Sequence, residues 1–419
     1  MESLTTTCVI AGGGPAGVMA GFLLARAGIE VVVLEKHADF LRDFRGDTVH
    51  PSTLELLWEL GLLDKFLARP HQEVRTIGVD VGKQNFAVAD LSHLPTHCKF
   101  AVLMPQWYFL DFLAVEAKAF PNFHLIMEAE VIELLARGNT IAGVVVRRPD
   151  GPLAITADLV IGADGRHSTV RAKARLPVVD FGAPFDVLWL RLPVESGDPQ
   201  EPIGRFQGGQ FFVMLYRGDY WQCALIIPKG GFDAMKAEGI TGFRARLRSV
   251  AGFARDRVET IQSFDEISLL TVRVDRLKSW ARRGLLCIGD AAHAMSPVGG
   301  VGINLAIQDA VATANLLGSV LRKRVPRIED LRAVQRRREW PARLTQWFQI
   351  QAQKRVIAPT LSGRTTSGAP LVLRVLDAVP WLQRIPARFV GLGARPEHVR
   401  TKARPYMPRA PSPADSAAT

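Results

Sequence analysis

A glycine run set between two apolar segments constrains this chain more than any other feature. Thr6–Ala11 (TTCVIA) is short, apolar and β-branched, and Gly12-Gly13-Gly14-Pro15-Ala16-Gly17 follows it directly. Gly17–Ala27 is then apolar at helical spacing, Gly28 ends it, and Ile29–Leu34 (IEVVVL) forms a second apolar run. This order predicts a βαβ unit whose strands are apolar on both faces, as in a parallel sheet covered by helices. In the G-x-G-x-x-G spacing, Gly12 makes a tight turn, Gly14 lets a pyrophosphate approach the backbone, and Gly17 allows close helix–strand packing. The helix N-terminus adds free N–H groups and a partial positive charge suited to phosphates. Glu35 closes the second strand, where a carboxylate accepts the ribose hydroxyls of an adenosine. The turn alone is a weak signal, but turn, helix, strand and acid in register predict a dinucleotide site. Thr5 to Ala25 is uncharged over the length of a membrane span. Its glycines and Pro15 break such a span, and Glu2 replaces the basic start of a signal peptide.

Two further motifs sit at the ends of buried strands. Ile155–Ala163 runs into Asp164-Gly165-Arg166-His167-Ser168-Thr169-Val170-Arg171. Gly284–Gly289 runs into Gly289-Asp290-Ala291-Ala292-His293 and on through Pro297, Gly299, Gly300, Gly302, Ile303 and Asn304. Asp290 is placed to bind a polyol chain, and the loop N–H groups to face an electron-rich ring edge. Asp290 could instead cap helix Ile303–Val320. The glycine-rich stretch is too permissive for a simple cap, because such freedom is costly unless the backbone must approach something closely. From about Asp180 to Thr271 the texture changes to alternation with short turns. Gln210–Tyr216 and Tyr220–Ile227 around Arg217-Gly218-Asp219 form a hairpin of a separate sheet.

The net charge of +11 raises the question of a nucleic-acid partner. Residues 321–419 hold 20 Lys and Arg against 6 Asp and Glu, leaving 32 basic and 35 acidic residues in the rest. No nucleic-acid motif accompanies the basic quarter, so it reads as the solvated surface of a helical layer, without nucleic acid or membrane contact. Cys8, Cys98, Cys223 and Cys287 include no C-x-x-C pair, which excludes a zinc ribbon and a redox disulfide and fits a reduced, cytoplasmic protein.

The three motifs together resemble the FAD-binding signatures of the class A flavoprotein monooxygenases, the aromatic hydroxylases typified by p-hydroxybenzoate hydroxylase. The resemblance covers roughly residues 5–180 and 280–320. It implies an α/β fold: a Rossmann-like FAD-binding domain interrupted by a mainly antiparallel β-sheet substrate domain, with a helical C-terminal layer. The expected bounds are 1–73, 101–179 and 276–325 for the first, 74–100 and 180–275 for the second and 326–400 for the third. A disordered tail is expected from 401 to 419.

Carried onto this chain, the family's roles put the FAD pyrophosphate on Gly12, Gly14, Pro15, Ala16 and Gly17, and the adenosine ribose on Glu35, with Lys36 beside it. Arg45 would reach the FAD near the nicotinamide nucleotide, Gln106 the flavin chain, and Val131 the adenine. Asp290 would bind the ribityl hydroxyls. Pro297, Gly299, Gly300, Gly302, Ile303 and Asn304 would line the flavin ring, and Asp164 and Arg166 would serve FAD and NAD(P)H. The catalytic environment would be Arg45, Pro297 and Gly299, with no side-chain general base. The reaction implied is NADH or NADPH reduction of the flavin, a C4a-hydroperoxide formed with O2, and hydroxylation of an aromatic or polycyclic small molecule. A monomer or homodimer is expected.

The substrate side is less defined. Trp189, Arg191, Phe212, Met214, Tyr216, Tyr220 and Gln222 belong to the alternating strands, and Met214, Tyr216 and Gln222 are the named candidates. Phe212, Met214 and Tyr216 share one face and Phe211, Val213 and Leu215 the other, and the pattern does not say which faces a cavity. With 4 Tyr, a dedicated phenol-relay tyrosine is not expected, Tyr216 being the nearest candidate. His50 reads as the lead-in to helix Leu54–Leu60, with Ser52 as N-cap, rather than as a proton shuttle. His293 reads as structural. The alternatives are a flavin halogenase or reductase on this scaffold, or a non-enzymatic binding protein. A halogenase needs W-x-W-x-I-P and a lysine. Trp221-Gln222-Cys223-Ala224-Leu225 lacks the second tryptophan, and Lys83 is the lysine to weigh.

Overall fold

The computed structural model describes residues 1–41, 48–81, 84–207, 209–361 and 371–406. In chain order it begins with β1 (Glu2–Ala11), α1 (Pro15–Arg26), β2 (Val31–Leu34), α2 (Pro51–Glu59), β3 (Thr76–Val81) and β4 (Gln84–Asp90). Next come α3 (Gln106–Ala117), β5 (Phe123–Ile126), β6 (Glu130–Arg137), β7 (Thr140–Arg147), β8 (Leu153–Gly162), β9 (Phe185–Pro193), β10 (Ile203–Gln207) and β11 (Gln210–Tyr216). β12 (Tyr220–Pro228), α4 (Gly239–Val250), β13 (Ser268–Leu270) and β14 (Leu285–Cys287) follow. Toward the C-terminus come the helices α5 (Gly302–Leu321), α6 (Ile328–Ala352), α7 (Leu371–Ala378) and α8 (Arg384–Leu392).

β14, β8, β1, β2 and β5 lie side by side and parallel, with β6 and β7 added antiparallel beside β8. β2 and the C-terminal ends of β1 and β8, which lead to the motifs, are buried because helices cover both faces. Cys8, Val9, Ile10, Val31, Val32 and Val33 sit in one core with α1, α3 and α5. The sequence elements nearest the site are the ones this sheet positions, since all three motifs leave the same ends of β1, β8 and β14. The fold is the mixed α/β architecture read from the sequence.

The second sheet has seven strands in the order β13-β9-β12-β11-β10-β3-β4. One face carries Phe212, Met214, Trp221, Cys223 and Leu225 against Phe243, Leu247 and Val250 of α4. The other carries Val187, Ala224 and Ile226, with Trp189, Phe211 and Val213, and meets Val298, Ile357 and Leu361.

Two sequence expectations change here. α2 starts at Pro51, not Leu54, with the backbone of His50 at the N-cap and Ser52 inside the helix. Proline is favoured at the first helical position because its fixed φ suits the helix and its missing N–H is not needed there. Disorder was expected from residue 401, yet residues 401–406 lie along α1. Arg26 Nη1 donates to Thr401 O at 2.6 Å and Arg404 N to Arg26 O at 2.9 Å, so the tail satisfies a free carbonyl at the end of α1. Residues 407–419 lie outside the described residues. No described helix is long and apolar enough to cross a membrane.

Candidate active site

The glycine turn is shaped by what it must clear. Gly12 has φ +106°, and a Cβ there would stand 2.4 Å from Ala163 O, so both backbone and neighbour demand glycine. A Cβ on Gly17 would stand 1.9 Å from Gly12 O. Gly14 differs: apart from the adjoining chain, nothing lies within 4 Å of where its Cβ would be. The space kept at Gly14 therefore faces outward, where a ligand fits. α1 begins with Pro15, has no side-chain cap and no acid in its first turn, so its N-terminal N–H groups remain available to an anion. Ala16 and Gly17 are buried in that first turn.

Glu35 directly follows β2 beside this turn and is 8% exposed. Its Oε2 accepts from Gly13 N at 3.0 Å, and its Oε1 from His37 N at 3.1 Å. Lys36 is exposed next to it. Ala129 N donates to Glu35 O at 2.8 Å, which brings the start of β6, and buried Val131, to the same edge. Gln106 is buried at the first position of α3. Arg45 and Lys83 lie outside the described residues.

The second and third motifs are joined through side chains. Arg166 Nη2 donates to Asp290 Oδ2 at 3.2 Å, both side chains being about a quarter exposed. Asp164 Oδ2 accepts from Val170 N at 3.0 Å, whereas Asp164 Oδ1 and Arg166 Nη1 are buried with no partner among the described residues. Burial pushes the Asp164 carboxyl above the usual carboxylate range. An unmet acceptor and an unmet donor on neighbouring residues are what a polar cofactor edge would satisfy. With the outward space at Gly14, they show that the residues present fit a dinucleotide.

Pro297 leads into a loop in which Gly299 and Gly300 have φ +80° and +62°, and α5 starts at Gly302. Ile303 and Asn304 are buried in its first turn. The Asn304 side chain is committed to the protein: its Oδ1 accepts from His50 N at 3.0 Å and Thr53 Oγ1 at 2.7 Å. Only its backbone remains to face a ring. His50 is 1% exposed, with Nε2 3.3 Å from Gly300 O and Nδ1 lacking a partner among the described residues. Burial holds its imidazole down at about 4, so it is neutral at pH 7. The loop is held from behind by Gln349 of α6, whose Nε2 donates to Ser296 O and Val298 O, each at 2.9 Å.

Strand parity separates the named substrate candidates. Met214 and Tyr216 pair across the ladder with Cys223 and Trp221, on the face covered by α4. Gln222 pairs with Leu215 and Arg191 on the opposite face, the one that meets Val298 of the loop. Met214 is therefore buried in that core and Tyr216 half-buried at its edge, neither facing the loop, because α4 supplies the apolar cover that their face requires. Trp189, Phe211 and Val213 stand on the loop side instead. Trp221, the halogenase-like position, is wholly buried against Phe253 and Tyr216.

Sequence reasoning missed three charged residues that brace these motifs. Asp275 is paired with Arg171. Asp309 lies fully buried in α5, and Arg338 fully buried in α6. Although burial opposes ionisation of Asp309, His293 and the Arg338 guanidinium hold its carboxyl below the usual range. One signal was available: Asp309 is the single charge in the apolar stretch GINLAIQDAVATANLLGSVL. Arg338 gave none, since it stands in Arg336-Arg337-Arg338 and reads as part of a solvated face.

The description of the FAD-binding domain family matches residues 5–347. A 6-methylpretetramide 4-monooxygenase of Streptomyces rimosus is 34% identical over 342 residues, 80% of this chain and 81% of the relative. A rifampicin monooxygenase of Streptomyces venezuelae is 30% identical over 320 residues, 72% of this chain but 62% of that longer relative. Among solved structures, the OxyS anhydrotetracycline hydroxylase from Streptomyces rimosus superposes with a TM-score of 0.73 at 24% identity, covering 93% of this chain and 76% of that one. At that identity the likeness carries the fold, and the sequence relatives carry the family. The strand-end motifs, the outward space at Gly14 and these relatives agree: the chain belongs to the FAD-binding domain family, as one of its FAD-dependent monooxygenases.

Proposed function

We propose that this chain hydroxylates an aromatic or polycyclic small molecule with O2, using NADH or NADPH as reductant. The observation that carries the substrate class is the second sheet. It turns an apolar face, bearing Trp189, Phe211, Val213 and Ile226, toward the Pro297–Gly300 loop through Val298. A wall of that kind takes flat apolar rings and excludes water.

FAD, when bound, supplies two-electron exchange with the nicotinamide and activation of O2. The chain's own residues bind and orient. The N-terminus of α1 and Gly14 hold the pyrophosphate, Glu35 the adenosine ribose, and Asp290 the ribityl chain, with Arg166 and Asp164 presenting a donor and an acceptor beside it. Loop N–H groups between Pro297 and Asn304 stabilise negative charge at the ring edge. This reading divides the chain into FAD-binding segments (1–73, 101–179 and 276–325), a substrate sheet (74–100 and 180–275) and a C-terminal helical segment. It also places the protein in the cytoplasm, as a monomer or homodimer that does not bind nucleic acid.

The test is a screen of phenolic and polycyclic compounds for stimulated NAD(P)H oxidation by the holoenzyme under isotopically labelled O2. A product carrying one labelled oxygen atom is expected. Oxidation that no compound stimulates, or a halide-dependent product, would overturn the proposal.

A further inference from the structure

A buried polar chain runs from the Gly289-Asp290 turn to the C-terminal stretch. Gly289 N donates to Asp309 Oδ2 at 3.0 Å, and His293 Nε2 lies 2.5 Å from the same oxygen. Asp309 Oδ1 accepts from Arg338 Nε at 3.0 Å. The remaining Arg338 nitrogens donate to Gln308 Oε1 at 3.2 Å, Arg395 O at 2.9 Å and Glu397 Oε1 at 3.3 Å. Arg337 adds donors to both Glu397 oxygens, at 2.7 and 3.1 Å. The Asp309 and Arg338 side chains are 0% exposed, and that of Glu397 is 4% exposed.

A wholly buried Asp–Arg pair is a poor device for stability alone, because desolvation consumes much of the Coulomb gain and apolar residues would fill the space as well. What apolar residues would not do is anchor a backbone N–H. Asp309 Oδ2 holds Gly289 and His293, the residues that flank Asp290 in its turn. The turn is also wedged from the sides: a Cβ on Gly289 would stand 3.1 Å from Ala16 Cβ and 3.2 Å from Ala306 Cβ. Asp290 itself is paired with Arg166 and is partly exposed. The direction of its carboxylate is therefore set by the backbone on which Asp309 pulls.

We propose that Asp309 and Arg338 are positioning residues for FAD, fixing the Gly289-Asp290 turn from behind, and that Glu397 completes them. FAD affinity then depends on a C-terminal residue that stands behind the turn. This rests on the reading that Asp290 holds the ribityl chain. It adds that the hold is tuned through Asp309, Arg338 and Glu397.

The test titrates FAD into full-length apoprotein by flavin fluorescence, for the parent, Asp290→Asn, Glu397→Gln, Arg338→Lys and the double variants with Asp290→Asn. Glu397→Gln and Arg338→Lys should each raise the FAD Kd roughly tenfold, the scale on which outer-shell partners act at ligand sites. In the Asp290→Asn background that factor should vanish, since residues acting through one another are not additive. Parent-like Kd values in both variants overturn the inference. So does the same tenfold factor with and without Asp290, or a loss of apoprotein stability with the Kd unchanged, each of which marks a purely structural network. If Arg338→Lys does not fold, Glu397→Gln at the network's edge decides alone. Asp290→Asn binding FAD like the parent overturns the assignment of Asp290 and this inference with it. Weak binding by Asp290→Asn beside parent-like Glu397→Gln overturns only the inference.

Discussion

Arg171 grips Asp275 with both terminal nitrogens, 2.9 Å from Oδ1 and 3.0 Å from Oδ2, with side chains 8% and 3% exposed. The same arginine donates to Arg166 O at 2.5 Å, and Asp275 Oδ1 accepts from Ala294 N at 3.5 Å. One ion pair thus ties the Asp-Gly motif after β8 to the Gly-Asp loop after β14.

Removing one partner strands the other in the interior. Arg171→Met should lower the unfolding free energy by about 3–5 kcal/mol, the cost of an uncompensated buried charge. Chemical denaturation of the apoprotein measures it, and a loss below about 1 kcal/mol would show that water reaches Asp275.

The two outer glycines of the first turn should fail differently. Gly12→Ala meets Ala163 O at φ +106°, so it should destabilise the apoprotein by about 1–3 kcal/mol. Gly14→Ala adopts an ordinary backbone with open space, so apoprotein melting should be unchanged while FAD affinity falls at least about tenfold. Paired thermal melts and FAD titrations separate them. A Gly14→Ala protein that binds FAD normally would remove the pyrophosphate from this turn.

His50 should give the fold an acid-sensitive component. Its folded pKa, about 4, lies below the ordinary 6.5, so the unfolded chain takes up a proton first as pH falls. Stability is fully present above about 6.5 and is lost progressively toward 4, by at most about 3 kcal/mol. His50→Gln should flatten the pH dependence of unfolding across that window. An unchanged slope would mean that His50 is solvated or protonated in the native protein.

The two faces of the second sheet should separate binding from stability. Met214→Ala opens a cavity against α4 and should cost about 2–5 kcal/mol of stability with KM for the substrate unchanged. Phe211→Ala, on the face toward Val298, should raise KM with a smaller stability loss. Equal effects on KM from both would put the substrate elsewhere.

The parts of the site legible in the sequence are those where backbone chemistry forces a residue type. Gly12 and Gly17 are demanded by contacts under 3 Å, and Glu35 by its place at the end of a buried strand, so pattern alone finds them. The inward face of the second sheet was not legible because both faces of β11 are apolar. The choice between Phe211 and Met214 is made by α4, which is remote in sequence. Arg338 was hidden in a different way. Its neighbour Arg336 faces solvent and Arg337 is half-buried beside Glu397, and helical phase alone turns the third arginine fully inward.

The contact between Arg26 and Thr401 spans 375 positions, so the end of α1 gains this partner only once residue 401 has been made. Synthesis runs from the phosphate-binding turn toward β14 and reaches Glu397 and Thr401 later still. Until β14 is made, residues 160–162 of β8 lack the parallel neighbour that covers their outer edge. The cofactor site is therefore finished from its far end: the Gly289-Asp290 turn joins it only after the two earlier motifs have been made.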